Sequence, residues 1–573
     1  MMDKTFSLAI SGSGGAGVMT VGQILVDAAA EAGWYGLMRK SFGPQIRGGE
    51  SAALLRFGAK EVLSHGDTFD VLLAIDWGNI GRFAAELPLR KDSVVLFDPD
   101  LDDVPEVIAR YGAHPLPVAL SATAKAESIR GNMIALGVVA RIMGVSMDYI
   151  KPILNANLGG KGEAAVASSL KGVELGFAMA DALPADICPK QTAPQKPKGE
   201  RWSISGNEGA GLGALRGGIR FVAGYPITPG TDILEWMAPQ LPHLGGQLVQ
   251  AEDELASINM IAGASYGGVP SLTSTSGPGL ALMLEGLGMG VGAELPLTVV
   301  DVQRGGPSTG IPTKSEQSDF NIAVYGMHGD APHIVCAPTS IPDCIHTVQW
   351  AVCAAEAAQC PAIVLSDQNT GQSRAIIDRP ADGGPVAARR LAQPVEGQPF
   401  LRYALTNDGI SPMSVPGMKG GEYTADGLEH NQRGTPSTQA SDHQDQLDKR
   451  LRKLTTLDCS KVWADIVGEG DVAVITWGSI SAPAREAVER MNGNARLIAL
   501  RVILPLQPEL LAMALKGVKA VLIAEQTHGA QFAHFLKGHY DLPSKVATLN
   551  RPGPLPLRPA EIVEAVQALA GDK

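Results

Sequence analysis

The sequence predicts an α/β protein built from several open, mainly parallel sheets, and three observations lead there. Its 573 residues exceed what one hydrophobic core can organise, and roughly 150 residues per domain implies three or four. Short apolar runs of strand length alternate with helical patterns along most of the chain. With 67 glycines, 45% hydrophobic and only 18% charged residues, the composition is that of buried strands joined to helices by glycine turns.

Residues 5–11 read as a strand, followed by the turn Gly12-Ser13-Gly14-Gly15-Ala16-Gly17 and a helix from about 19 to 32. Gly12, Gly14 and Gly17 satisfy G-x-G-x-x-G, a turn whose amides can approach a phosphate. A dinucleotide site wants an acid near the end of the second strand, where the chain reads Leu37-Met38-Arg39-Lys40. That disfavours NAD and leaves a basic pair suited to a 2′-phosphate, so an NADP-linked oxidoreductase stays open as an alternative. Strands near 71–75 and 94–97, with helices near 131–143 and 170–183, complete a first domain over 1–183. Pro184, Pro189, Pro194 and Pro197 mark a linker over 184–199.

A second block, 200–380, places strands at 221–224, 248–251, 271–275, 297–302 and 362–365 between helices, the pattern of a doubly wound sheet. Residues 381–455 are rich in Gly, Pro, Asp and His and poor in periodicity, so a functional or disordered segment is expected. The last block, 456–573, carries strands at 472–476 and 520–525 and a helix at 560–570.

Composition narrows the function. A formal net charge of −12 argues against a nucleic-acid-binding face and against binding to anionic membranes. The longest apolar stretch, 279–300, is interrupted by Glu285, Glu294 and Pro296 and does not qualify as a membrane span. The amino terminus runs within a few residues into the glycine turn, leaving no room for a signal core, so a cytoplasmic location is expected. The six cysteines never form C-x-x-C, so neither a ferredoxin-type cluster nor a zinc ribbon is expected in this chain, and no residue is assigned to a metal.

Three residues stand out chemically. Pro226 and Pro229 stop the strand at 221–224 in a stiff loop and present Thr228 at a strand's carboxyl end, where α/β proteins bind ligands. Glu254 opens an apolar helix. Arg304 ends the strand at 297–303, and a guanidinium can clamp a carboxylate at two points. Each also has a plain account: a proline-rich turn, an acid complementing a helix macrodipole, a solvated boundary arginine.

The ordered run of motifs changes that balance. Tyr225-Pro226-Ile227-Thr228-Pro229, Glu254, Ile261-Ala262-Gly263-Ala264-Ser265-Tyr266-Gly267-Gly268 and Thr273-Ser274-Thr275-Ser276-Gly277-Pro278-Gly279 are followed by Asp301-Val302-Gln303-Arg304, Gly306-Pro307-Ser308-Thr309-Gly310 and Glu316-Gln317-Ser318-Asp319. Together they resemble the pyrimidine-binding α region of the 2-oxoacid:ferredoxin oxidoreductases. The glycine turn with Ser41-Phe42-Gly43-Pro44-Gln45-Ile46-Arg47-Gly48-Gly49-Glu50-Ser51 resembles the family's γ domain, and the last block resembles its small transketolase-C-like domain. The chain thus reads as a γ–α fusion.

The resemblance implies a thiamine diphosphate enzyme that oxidatively decarboxylates a 2-oxoacid, 2-oxoglutarate being favoured, with coenzyme A as co-substrate and ferredoxin as electron acceptor. Tyr225, Pro226, Ile227 and Glu254 match the pyrimidine site, with Glu254 as the carboxylate on the ring nitrogen. Thr228 and Arg304 match the groups that hold the keto acid, and Thr313 matches a pocket position, with Lys314 a further basic candidate for a distal carboxylate. Gly12, Gly14, Gly15, Gly17 and Arg47 are candidates for an anion such as coenzyme A. No G-D-G with a downstream asparagine and no cysteine set is present, so Mg²⁺, the diphosphate site and a [4Fe-4S] cluster are expected in a β subunit, in an α2β2 assembly. In the family the segment 381–455 wraps against the partner. A noncatalytic scaffold subunit keeping these motifs as relics is the remaining alternative.

Overall fold

The computed structural model describes residues 5–43, 49–195 and 199–571 and contains three sheets. They fall into two compact units. Met1–Ser205, Gln372–Ala381 and Arg558–Ala560 form one, and Gly206–Gly371, Asp382–Leu557 and Glu561–Lys573 form the other.

The first unit is built on an eight-stranded sheet. Its order is His114–Pro117, Leu89–Phe97, Phe69–Ala74, Thr5–Ser13, Glu50–Gly58, Tyr35–Phe42, Arg374–Asp378, Arg201–Ser205. The first four strands are parallel, as expected, and the rest pair antiparallel. Leu8 and Ile10 face the helices Val18–Glu31 and Gly131–Ile142, where Val21, Ile24, Ile134 and Val138 complete a core. The helix Glu163–Asp181 lies so close to Gly131–Ile142 that a Cβ on Gly137 would come within 2.2 Å of the Val173 carbonyl oxygen. The segment read as a linker from Pro184 onward runs along this unit: Gln191 N–H donates to the Ile142 carbonyl at 2.7 Å. Strands Arg201–Ser205 and Arg374–Asp378, which the sequence places in the second block, pair with each other and into this first sheet. The first unit therefore reaches beyond the 1–183 boundary.

The second unit holds the other two sheets. In the seven-stranded one, Ile334–Cys336, Pro361–Asp367, Leu297–Gln303, Ser271–Thr275, Phe221–Gly224 and Gln247–Gln250 run parallel, and Val502–Leu504 joins one edge antiparallel. Alternate residues serve opposite faces, as the pleat requires. Leu272, Val300, Val302 and Val364 pack with the helices Gly206–Gly217 and Asp343–Ala358. Ala223, Leu297, Val299 and Ile363 pack with Glu254–Tyr266 and Gly277–Gly292. That second core is shared with Ala473, Ile475, Ile498 and Val521 of a five-stranded sheet ordered Ala464–Val467, Arg496–Leu500, Val472–Trp477, Ala520–Glu525, Lys545–Asn550. The blocks read from sequence as separate domains at 200–380 and 456–573 thus share one hydrophobic core.

The segment between them has little regular structure until the helix Ala440–Thr455, yet it is anchored. Lys449 and Lys453 of that helix meet Glu294 at 2.5 Å each, all three side chains being almost inaccessible. Buried Arg402 adds a hydrogen bond to the Glu294 carbonyl at 2.9 Å. Burial works against ionisation of Glu294, but Lys453, Lys449 and Arg402 outweigh it and hold the carboxyl well below the usual carboxylate range. No helix among the described residues is long and apolar enough to cross a membrane.

Candidate active site

The carboxyl ends of Phe221–Gly224, Ser271–Thr275 and Leu297–Gln303 bring the expected site residues together. Past Gly224 the prolines end the strand, and the loop's carbonyls are held by its neighbours. Asn207 Nδ2 donates to Pro229 O at 3.0 Å, Ser274 Oγ to Gly230 O at 3.0 Å, and Arg304 Nη1 to Thr228 O at 2.5 Å. Arg304 and Thr228 therefore meet, through the threonine's main chain. Tyr225 and Pro226 are exposed, while Ile227 and Thr228 are half-buried. Arg304 itself is 7% exposed and its buried Nε has no partner. Burial lowers its pKa, with Asp319 opposing.

Glu254 is the first residue of its helix, but it does not cap it. Asp253 takes that role, its carboxylate accepting from Ala256 N–H at 2.6 Å from an extended backbone. Glu254 is instead 7% exposed and lies against the start of Gly277–Gly292. A Cβ on Gly279 would fall 2.8 Å from Glu254 Oε1 and 2.1 Å from Thr275 Oγ1, so only glycine leaves room for the carboxylate. Among the described residues that carboxylate accepts no hydrogen bond. A buried acid whose acceptor capacity is unused suits a ring nitrogen that carries or shares a proton, and the residues present fit an aminopyrimidine here.

Thr313 reaches the same place because the chain after Arg304 folds back. Ile311 N–H donates to Gly305 O at 2.8 Å and Gly305 N–H to Lys314 O at 3.0 Å. Gly310 has φ +57 in that return, where a Cβ would lie 1.7 Å from Gly305 O. Thr313 is buried and Lys314 half-buried, not exposed as a surface lysine would be. The following residues are clamped from the five-stranded sheet: Gln317 donates to Trp477 O at 2.9 Å and accepts from Gln526 N–H at 2.8 Å.

Sequence reasoning assigned no role to Asp301 and Asp319. Asp301 is fully buried and both its carboxylate oxygens lack partners. Burial, then Asp319, pushes its pKa well above the ordinary value. Asp319 is raised to about 7 by burial and by Glu316, with Arg304 opposing. In the sequence they show only as an acid within the strand Leu297–Gln303 and as the last residue of Glu316-Gln317-Ser318-Asp319.

The glycine turn is more committed than its pattern suggests. Ser13 N–H donates to both Asp76 oxygens at 2.9 and 3.1 Å, Gly14 N–H to Gly49 O at 2.5 Å, and Ala16 N–H to Ser13 O at 3.0 Å. A carboxylate seated on the turn opposes a phosphate at that spot. Gly17, at φ +88, is required by packing, since a Cβ there would lie 2.2 Å from Asn132 Nδ2. Arg39 is buried in an ion pair with Glu86 at 2.7 Å, so half of the basic pair that would meet a 2′-phosphate is used within the fold. Arg47 lies outside the described residues. Among the described residues no cluster of three His, Cys, Asp or Glu side chains is placed to hold a metal ion, and the cysteines are unbridged, all but Cys353 buried.

Two family models match. Residues 212–449 match the thiamine diphosphate-binding domain of pyruvate flavodoxin/ferredoxin oxidoreductases, and residues 7–179 match the pyruvate ferredoxin/flavodoxin oxidoreductase domain. The 2-oxoglutarate oxidoreductase subunit KorA of Mycobacterium tuberculosis is 32% identical over 530 residues, covering 86% of this chain and 80% of the relative. The 2-oxoacid:ferredoxin oxidoreductase subunit alpha of a Sulfolobus species is 27% identical, covering 93% and 92%. Among solved structures, 2-oxoglutarate:ferredoxin oxidoreductase from Magnetococcus marinus, with 2-oxoglutarate, coenzyme A and succinyl-CoA bound, superposes with a TM-score of 0.92 at 35% identity, covering 99% and 100%.

Proposed function

Since this chain belongs to the 2-oxoacid:ferredoxin oxidoreductase family as an alpha subunit with a thiamine diphosphate-binding domain, we propose that it forms the pyrimidine half of the cofactor site and holds the keto acid. The reaction is oxidative decarboxylation of a 2-oxoacid, 2-oxoglutarate favoured, with coenzyme A to acyl-CoA and CO2. Two electrons leave for ferredoxin through a [4Fe-4S] cluster in a β subunit that also supplies Mg²⁺ and the diphosphate site, in a cytoplasmic α2β2 complex. When bound, thiamine diphosphate supplies the nucleophilic carbon and the electron sink that decarboxylation needs.

The residues of this chain do the placing. Tyr225, Pro226 and Ile227 flank the pyrimidine, and Glu254 shares a proton with its ring nitrogen through the carboxylate left unused beside Gly279. Arg304 binds the carboxylate next to the keto group, and Thr228 orients the keto acid through its hydroxyl. Thr313 and Lys314 border the pocket on the side of the distal carboxylate. Gly12, Gly14, Gly15, Gly17 and Arg47 remain the candidate coenzyme A contacts, with Ser13, Gly14 and Ala16 amides already engaged. One observation carries the reading: Glu254 is 7% exposed and accepts no hydrogen bond among the described residues, while Asp253 next to it does the capping.

Glu254→Gln tests it in the complex with the β partner. The amide keeps the shape and loses the charge, so assembly should persist while turnover falls by at least about tenfold to a hundredfold, the low end for a positioned acid–base group. Near-normal turnover with every 2-oxoacid tried would reduce Glu254 to a helix-end acid and favour the scaffold alternative.

A further inference from the structure

Behind Arg304 stands a set of buried polar groups that the placement of substrate does not use. Asp319 N–H donates to Gln303 Oε1 at 3.1 Å, which fixes its backbone to the end of the strand that carries Arg304. Its side chain is wedged against the start of Gly277–Gly292, where a Cβ on Gly277 would lie 2.4 Å from Oδ1. The other oxygen, Oδ2, is buried with no partner, as is Arg304 Nε. Arg304 feels the Asp319 charge, yet among the described residues it forms no ion pair within 4.0 Å. Nη1 holds the Thr228 carbonyl, and among the described residues the guanidinium is paired with no carboxylate while a carboxyl stands in its field.

Resting on the assignment of Arg304 to the substrate carboxylate, we propose that Asp319 is a positioning residue that sets the charge of this clamp: ionised on the alkaline side of neutrality while the clamp is empty, it takes up a proton there as the 2-oxoacid binds. The physics is that of two carboxylates sharing one guanidinium in a poorly solvated pocket. Both cannot stay ionised cheaply, and the one able to reach a proton gives way. Asp301, from the same strand, is wholly buried, and burial with Asp319 beside it pushes its pKa well above the ordinary value. Glu316 accepts from Gly553 N–H at 3.3 Å and senses His528; Asp367, ending the neighbouring strand, accepts from Thr370 N–H at 2.8 Å; Glu254 lies beyond Gly279. Asp319, raised to about 7, is the member that changes state in the working range. Affinity for the anionic substrate is then highest below about pH 7 and declines above it.

The test uses the complex with the β partner. The Michaelis constant for 2-oxoglutarate is measured from pH 6.5 to 8.5, and proton uptake is read calorimetrically, in two buffers of different ionisation enthalpy, as unreactive 2-hydroxyglutarate binds. Wild type should show a KM rising about tenfold over that range, within the limit of about tenfold per pH unit for one linked proton, and net proton uptake at pH 8. Asp319→Asn should flatten the profile to less than about twofold, bind more tightly than wild type at pH 8.5, and lose the uptake. A structural role alone would not improve binding at high pH. The proposal is overturned by a flat wild-type profile, by no wild-type proton uptake, or by an assembled Asp319→Asn complex that keeps the wild-type profile. Unchanged kinetics in Arg304→Lys would instead sink the assignment of Arg304 itself.

Discussion

At Arg304 one guanidinium nitrogen, Nη1, is spent on the Thr228 carbonyl, and the buried Nε has no partner among the described residues. Arg304→Lys keeps the charge and loses two-point orientation, so KM should rise and kcat fall together for every accepted 2-oxoacid. Loss confined to 2-oxoglutarate, with pyruvate spared, would mean that Arg304 holds the distal carboxylate. Thr228→Ala should act the same way more mildly, a neutral hydrogen bond contributing about 0.5–1.5 kcal/mol. Gly279→Ala is the sharper steric test. Its methyl must displace Thr275 or Glu254, at a cost of about 1–3 kcal/mol for overpacking, so a lower melting temperature should accompany loss of turnover. A fully active Gly279→Ala complex would contradict the position given to the carboxylate. Glu254, Thr228 and Arg304, the residues proposed for the site, could be picked out in the sequence because they sit in an ordered series of motifs. Asp319 was legible only as a letter in one of them, because what makes it unusual is burial without a partner, which spacing does not encode.

The helix Ala440–Thr455 shows how an element hides. It presents Gln446, Lys449, Arg450 and Lys453 inward at helical spacing, so its buried face reads as a solvated one. Glu50–Gly58 is a parallel case: Glu50 and Arg56 are buried in a strand central to its sheet. In the helix, ion pairing replaces the apolar pattern on which sequence reading depends; in the strand, two buried charged residues interrupt it. Glu294→Gln should leave Lys449, Lys453 and Arg402 buried around a neutral group and cost about 3–5 kcal/mol, whereas Lys449→Met leaves the acid still paired and should cost less. Thermal denaturation of the two variants checks the order, and the reverse order would refute the anchor. Because Glu294 is held below its ordinary value of 4.5, its contribution is present above that pH and is lost on acidification. The acid limb of the stability profile should therefore shrink in Glu294→Gln.

For the whole molecule, the α/β class, the main parallel strands and the sequence of blocks were readable from composition and alternation. The partition was not: strands Arg201–Ser205 and Arg374–Asp378 pair into the first sheet, and one core joins the seven- and five-stranded sheets. Such long-range pairing leaves no local trace in sequence. As proposed, this chain holds the pyrimidine and the keto acid, while a β subunit brings the cluster and the diphosphate site. The most direct measurement is reduction of a low-potential viologen by 2-oxoglutarate, coenzyme A, thiamine diphosphate and Mg²⁺, with the purified chain alone and after co-expression with a cysteine-containing β partner. A colourless, inactive chain and a brown, active complex are expected; a brown chain that reduces viologen by itself would overturn this division of the active site.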